Sequence, residues 1–318
     1  RLFTNHFGIR FSGRIHEQIA PSVSALKGVE KESKIILNHV GYSYTGHKAE
    51  AKRKRNEALL KKAIRSDPSA YNHFTLAQHF ALYKNYRKAI PHFRKALQLG
   101  GLSKKLSASL RNIYAETLIR TGKKKAAEAL IAESLAAFPD QIGAYYLKYM
   151  LTSQANDIMG QIKALETIIE QYKKIRKNGK TLSSDVEIPV RDVEYRLIQT
   201  ALQSEEPEYV VSHAHRLRIR PHLTYGEREI LGKYFLVIGD WEHAGEQLKK
   251  IYYDQPENTM ILDLLGLYYL KQKKFSAAIH YYNLYHRLKP KDEAVKRRLA
   301  GLYAKIGEVE KAEALISQ

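Results

Sequence analysis

Over the last third of the chain, apolar and small residues recur at a fixed interval. Leu231, Leu265 and Leu299 stand 34 residues apart, as do Gly232, Gly266 and Ala300, then Phe235, Tyr269 and Tyr303, then Ala244, Ala278 and Ala312, then Leu248, Tyr282 and Ile316. Pro256 and Pro290 keep the same interval. Inside each period the apolar positions follow the spacing of amphipathic helices, which predicts two helices per period. A small residue at Gly232 or Gly266 lets the first helix approach the second, Ala244 or Ala278 does the same from the other side, and the large residues fill the remaining gap. Proline has no amide donor and disfavours helix in the residue before it, so Pro256 and Pro290 close one period and open the next. Gly239 and Gly307 mark the turn between the two helices.

Upstream, Leu76, Ala77, Phe80, Ala89, Phe93 and Ala96 fit the same template, with Gly100-Gly101 in place of the terminal proline. Ala115, Leu118, Gly122, Ala127, Ile131 and Pro139 form another copy. The stretches Ile142 to Tyr172 and Val190 to Pro221 are helical by their apolar spacing but match the template poorly, as degenerate or divergent copies. Between them KKIRKNGKTLSSDVEIP is polar and contains Gly and Ser, which predicts a connector over 173–188.

This pattern resembles the tetratricopeptide repeat, and the resemblance implies a mainly α fold, an α-α superhelical solenoid. In such a solenoid the first helix of each repeat lines the concave face. The repeat register puts Tyr71, Phe74, Gln78, Glu229, Lys233, Leu236, Met260, Asp263, Leu267, Arg297 and Arg298 there. Their mixture of charged and apolar groups suits a peptide or protein partner. Members of the family that clamp a C-terminal carboxylate carry Lys and Asn at set positions of this face. Here those positions hold Glu229, Lys233, Asp263 and Leu267, so the clamp is absent and a co-chaperone role has no support.

The N-terminal stretch differs. GIRFSGRIHEQI alternates as a strand would and KIILNHVGY holds a short apolar run, which predicts a small strand-containing segment over 1–47. A basic linking helix follows over 48–66, then helix pairs over 67–172, the connector, and a repeat array over 189–318. Arg1-Leu2-Phe3, Phe11 to Gln18, His39-Val40-Gly41-Tyr42 and the basic helix with Lys54-Arg55-Asn56 and Leu59-Leu60 follow in an order that resembles the C-terminal end of bacterial family-2 glycosyltransferase domains of the GT-A type. That resemblance implies His16 as a ligand of the divalent metal, manganese or magnesium, that neutralises a nucleotide diphosphate. It implies Arg14 on phosphate and Glu17 toward the acceptor hydroxyl as a base. The residues also allow a purely structural reading, in which Arg14 pairs with Glu17, His16 is a hydrogen-bonded core residue and His39 packs at a strand end. The Asp-x-Asp half of such enzymes is missing and the chain opens on Arg rather than Met, so a fragment is expected. By this reading the chain itself holds no cofactor and transfers no sugar, and the sugar nucleotide and metal belong to a longer parent.

Composition narrows the rest. With 318 residues, 44% of them hydrophobic, 9 Pro and 18 Gly, the chain can bury a core. No apolar run reaches the roughly 18 residues of a spanning helix and no secretory leader is present, which predicts a cytoplasmic protein. Cysteine is absent, which removes disulfides, thiolate metal sites and cysteine nucleophiles. Lys+Arg 53 against Asp+Glu 33 gives a net charge of +20 and points to polyanions as further partners. The excess concentrates at Lys48 to Arg65 and at Lys173 to Lys180, runs that equally suit a solvated helix face and a connector. There is no phosphate-binding Gly-x-x-x-x-Gly-Lys loop and no His-Glu-x-x-His zinc helix. His213 and His215, two apart, point to different sides of a helix and are expected at the surface. The 22 tyrosines fall mainly at packing positions. The leading expectation is a protein-binding scaffold forming the C-terminal part of a family-2 glycosyltransferase, where it recruits a protein or polymer acceptor. A free-standing adaptor and a basic helical-repeat RNA-binding protein are the alternatives, the latter weakened by the lack of a repeating base-reading code. Oligomeric state is not legible.

Overall fold

The structure, a computed structural model, describes residues 8–11, 19–28, 46–178 and 188–316. The chain divides into two compact units, one ending at Leu147 and the other beginning at Lys148. Every regular element among the described residues is helical. Gly8 to Phe11 is irregular and Ala20–Ala25 forms a one-and-a-half-turn helix, α1, with a proline in its first turn, where the missing amide costs nothing. The strand-containing segment expected at the N-terminus thus has no strand among the described residues. The rest of that expectation, at 12–18 and 29–45, lies outside them.

In the first unit, α2 (Gly46–Ser66) buries Leu60 and Ala63 and packs on α3 (Ala70–Leu82). Its basic run is a solvated face laced with pairs one turn apart, such as Lys61 with Glu57 at 2.7 Å, worth a few tenths of a kcal/mol each (about 0.2–0.5). Helix α3 pairs with α4 (Tyr86–Leu99), and α5 (Lys104–Arg120) with α6 (Lys124–Ala137). Ser69 and Ser103 cap the first helices, accepting from the amides of Asn72 (3.4 Å) and Leu106 (3.3 Å). Phe74, Phe93 and Tyr114 run through the core in sequence, with ring centroids 6.5 and 5.3 Å apart. A closed polar network joins α5, α6 and the residue before the next helix. Asn112 Nδ2 donates to Gln141 Oε1 (2.7 Å), Ser134 Oγ to Asn112 Oδ1 (2.8 Å), and Gln141 Nε2 to the Ser134 carbonyl (2.7 Å). All three side chains are buried, so their mutual satisfaction avoids the cost of unpaired polar groups.

Helix α7 (Ile142–Gln154) carries the division between the units. The second unit continues with α8 (Ile158–Asn178), α9 (Val190–Ala201), a 3₁₀ turn at Pro207–Val210 and α10 (Val211–Arg218). The residues Lys173 to Asn178 belong to α8, a correction to the connector expected from 173: the apolar spacing that ends at Tyr172 does not end the backbone hydrogen bonding. Three pairs follow, α11 (Tyr225–Val237) with α12 (Trp241–Asp254), α13 (Thr259–Lys271) with α14 (Phe275–Leu288), and α15 (Glu293–Lys305) with α16 (Val309–Ile316).

The 34-residue interval governs these pairs. Leu231, Leu265 and Leu299 have no exposed surface. A Cβ on Gly232 would stand 2.7 Å from Leu248 Cδ2, and one on Gly266 2.6 Å from Tyr282 Cζ, so these glycines mark where the two helices of a pair come close. The turn between paired helices has positive φ at Gly239 (77°), Lys273 (60°) and Gly307 (85°), again 34 apart, and only at Lys273 does a side chain occupy the left-handed region. The first helices are capped at the same interval by Thr224, Asn258 and Asp292, the first of them in a reciprocal capping box with Glu227. Ile316, at the register position of Leu248 and Tyr282, is 72% exposed, and no helix among the described residues covers it. No helix among the described residues is long and apolar enough to cross a membrane.

Candidate binding face on the first helices

In the second unit, α11, α13 and α15 are the first helices of consecutive pairs, and side chains link each to the next. Asn258 Nδ2 donates to Tyr225 Oη at 2.9 Å, Lys233 Nζ lies 3.7 Å from Met260 Sδ, and Arg298 pairs with Asp263. Within α11, Lys233 pairs with Glu229 one turn earlier at 2.6 Å. Burial pushes the Asp263 carboxyl above its ordinary range while the Arg298 guanidinium pulls it back, and the same guanidinium lies 5.9 Å from the Tyr282 ring centre. Burial pushes the Tyr282 hydroxyl up to about 12, so this aromatic base under the face stays neutral. Glu229, Lys233, Asp263 and Leu267 are half-buried; Met260, Arg297 and Arg298 are exposed. Next to Arg297, one turn on, Gly301 is exposed with open space where a side chain would stand.

The structure separates the residues that the register grouped. Glu229, Lys233, Met260, Asp263, Leu267, Arg297 and Arg298 share the accessible first-helix face of the second unit. Leu236 does not; it is 6% exposed and belongs to the core. In the first unit Tyr71 and Gln78 are half-buried, while Phe74 is 1% exposed and packs on Phe93. Leu236 and Phe74 are therefore corrections: spacing gives the side of a helix but not how deeply its neighbours cover that side. Tyr225 and Asn258, which sequence reasoning left out of the face, join it through their hydrogen bond, while Tyr282 of α14 lies buried beneath it; the interval from Thr224 through Asn258 to Asp292 was the signal available. Arg14, His16 and Glu17 lie outside the described residues.

The two histidines of α10 do point to different neighbours, but His213 is not at the surface. It is buried, with Nε2 3.8 Å from Glu166 Oε1 of α8, and burial lowers its pKa from 6.5 to about 4, helped by Arg216 and Lys173. Close by, the fully buried Glu194 of α9 receives Arg220 at 2.5 Å and Arg216 at 3.5 Å. Burial raises the Glu194 pKa and the two arginines oppose that shift. Arg191 pairs with the buried Glu227 and donates to the His222 carbonyl at 2.7 Å. Tyr234, also buried, donates to the Pro207 carbonyl at 2.6 Å. These groups hold α8, α9, α10 and α11 together and are structural.

No protein-family profile matches the chain, and no curated protein sequence matches it. Solved structures do. YrrB, described as a TPR protein with an unusual peptide-binding site, superposes with a TM-score of 0.50 at 16% identity, over 67% of this chain and 97% of that one. MamA reaches 0.45 at 14% identity over 57% of this chain and 90% of its own, and PilW, a type IV pilus biogenesis factor, 0.43 at 12% over 66% and 91%. At the identity of YrrB the likeness is one of fold: the chain has a TPR-like architecture.

Proposed function

We propose that the chain is a protein-interaction scaffold that holds an extended peptide segment along the first-helix face of α11, α13 and α15. The observation that carries this reading is the alignment, on three consecutive first helices, of accessible groups of both signs with the apolar Met260 and Leu267 between them. An extended peptide offers backbone donors and acceptors to Glu229, Asp263 and Arg297 and a side chain to the apolar strip. Glu229–Lys233 and Asp263–Arg298 are half-buried pairs open to solvent on one side, so a ligand group can take the place of one partner. The peptide-binding site named for YrrB supports the reading at the level of fold alone.

Two finer readings stand beside it with narrower support. Recruitment of a protein or polymer acceptor for a family-2 glycosyltransferase rests on the order of motifs in residues 1–66. A role on polyanions rests on the net charge of +20; the face itself pairs Lys233 and Arg298 with carboxylates, which makes it a poor phosphate track. The test begins with peptides selected on the whole chain from a random library. Their affinity should drop at least about tenfold, about 1.4 kcal/mol, in the combined variant Met260→Ser, Leu267→Ser, Arg297→Glu. Undiminished affinity in that variant would place peptide binding elsewhere.

A further inference from the structure

We propose that His215, Asp240 and His243 form a site for one divalent transition-metal ion of the zinc type, away from the first-helix face. His215 stands on α10, Asp240 caps the start of α12, and His243 follows in the first turn of α12. Their donor atoms converge: His243 Nδ1 lies 2.7 Å and His215 Nε2 3.8 Å from the same oxygen, Asp240 Oδ2, and one ligand atom from each residue lies within 4.8 Å of the other two. Zinc takes imidazole nitrogen and carboxylate oxygen at about 2.0–2.2 Å, which sets neighbouring donors of a tetrahedral ion about 3.3 Å apart. The 2.7 and 3.8 Å separations lie about 0.5 Å to either side of that spacing.

The surroundings are those of a prepared site. The Asp240 carboxylate is held in place by its other oxygen, which accepts from the His243 amide at 3.3 Å, and the Asp240 amide donates to the Phe235 carbonyl at 2.8 Å. The two imidazoles rest on the fully buried ring of Phe235, with centroids 5.1 and 5.2 Å from it, and meet each other edge to face at 4.8 Å. That floor keeps water from one side of the cluster. The other side is open, with the three side chains 22–38% exposed, so an ion enters from solution and retains a coordination position for water or a ligand group. Arg218, whose charge reaches His215, is paired with Glu246 at 3.0 Å, which offsets its repulsion of a metal. A capping Asp–His pair accounts for Asp240 and His243 alone. It does not account for a second imidazole, brought by another helix, aimed at the same oxygen from beyond hydrogen-bond range. Two nitrogens and one oxygen favour zinc, cobalt, nickel and copper over magnesium and calcium, which require oxygen donors. A bound ion would clip α10 to the start of α12, at the point where the irregular helices give way to the regular array.

The experiment titrates zinc chloride, and separately cobalt chloride, into the whole chain after chelator treatment and dialysis, read by calorimetry and by cobalt absorption. One ion per chain is expected, with unfolding temperature raised by zinc and no displacement by a roughly 100-fold excess of magnesium. His215→Ala and His243→Ala each weaken binding at least about tenfold, whereas His222→Ala, an exposed histidine outside the cluster, leaves it unchanged. His215→Ala spares the α12 cap, so circular dichroism on that variant separates loss of the ion from loss of the fold. Absence of saturable zinc binding overturns the proposal. So does binding that survives His215→Ala with His243→Ala, which would assign the ion to other histidines.

Discussion

Within the second unit, α11–α16 and α8–α10 bury their helix faces by different means. The array brings helices together at glycine, with Gly232 against Leu248 and Gly266 against Tyr282, and closes the gap with apolar bulk. The stretch before it buries apolar residues too, Ile168, Leu197 and Leu217 among them, but sets buried titratable groups between its helices: the Glu194 carboxylate beneath Arg216 and Arg220, and the His213 imidazole near Glu166. Apolar packing repeats, because the same shapes serve every pair. Buried ion pairs do not, since each depends on desolvation and on partners from particular helices, and breaking one leaves a charge with nowhere to go. The irregular stretch should therefore respond to pH, and the array to side-chain volume.

The largest effect is expected at His213. Its folded pKa, lowered from 6.5 to about 4 chiefly by burial, means that between those values the unfolded chain binds a proton that the folded chain refuses. Stability from this group is present above pH 6.5 and is lost as pH falls toward 4, a contribution of about 2–3 kcal/mol. Glu166, raised by burial, acts in the opposite direction over the range just above 4.5 and trims the effect without reversing it. His213→Leu should flatten this part of the urea-stability profile, so that the difference between variant and parent changes steadily from pH 7 to pH 4. A constant difference would show that His213 titrates normally and that charge does not distinguish the two regions.

In the array, Gly266→Leu forces a side chain into the Tyr282 ring, which has no exposed surface into which it could retreat. Overpacking of this kind costs about 1–3 kcal/mol, with little dependence on pH between 5 and 8. An unchanged denaturation midpoint would mean that the 34-residue register does not set the packing. The smallest effect sharpens the same register. Lys273 holds φ at 60° where Gly239 and Gly307 hold 77° and 85°, so Lys273→Gly should relieve left-handed strain and stabilise the chain by about 0.5–1 kcal/mol in thermal unfolding. Destabilisation instead would show that the lysine side chain contributes more than its backbone costs.

Much of the fold could be read from the chain because its signals are local and repeated. Leu231, Leu265 and Leu299 with their small neighbours specify where helices touch, and Pro256 and Pro290 where pairs end. Accessibility along the first helices was partly legible: Glu229, Lys233, Met260, Asp263, Leu267, Arg297 and Arg298 reach solvent, but Phe74 and Leu236 fall into the core. Periodicity gives the side of a helix and not the depth of its neighbour, and depth decides whether an apolar residue is face or filling. His213 was misjudged for the same reason, since spacing showed that it points away from His215 but not that Glu166 and α9 wait there.

The sequence by itself determined the helix pairs of the array, their interval, the points where paired helices come close and the kind of face that their first helices carry. Those follow from steric and hydrophobic rules acting within some 34 residues. Tertiary structure alone decided that Glu194 is neutralised by Arg216 and Arg220, that α8 continues to Asn178, and that His215 meets Asp240 and His243 over Phe235. Each depends on groups brought together across turns, where the free energy of burying charge or aligning ligands is set by three-dimensional neighbours that no local pattern encodes.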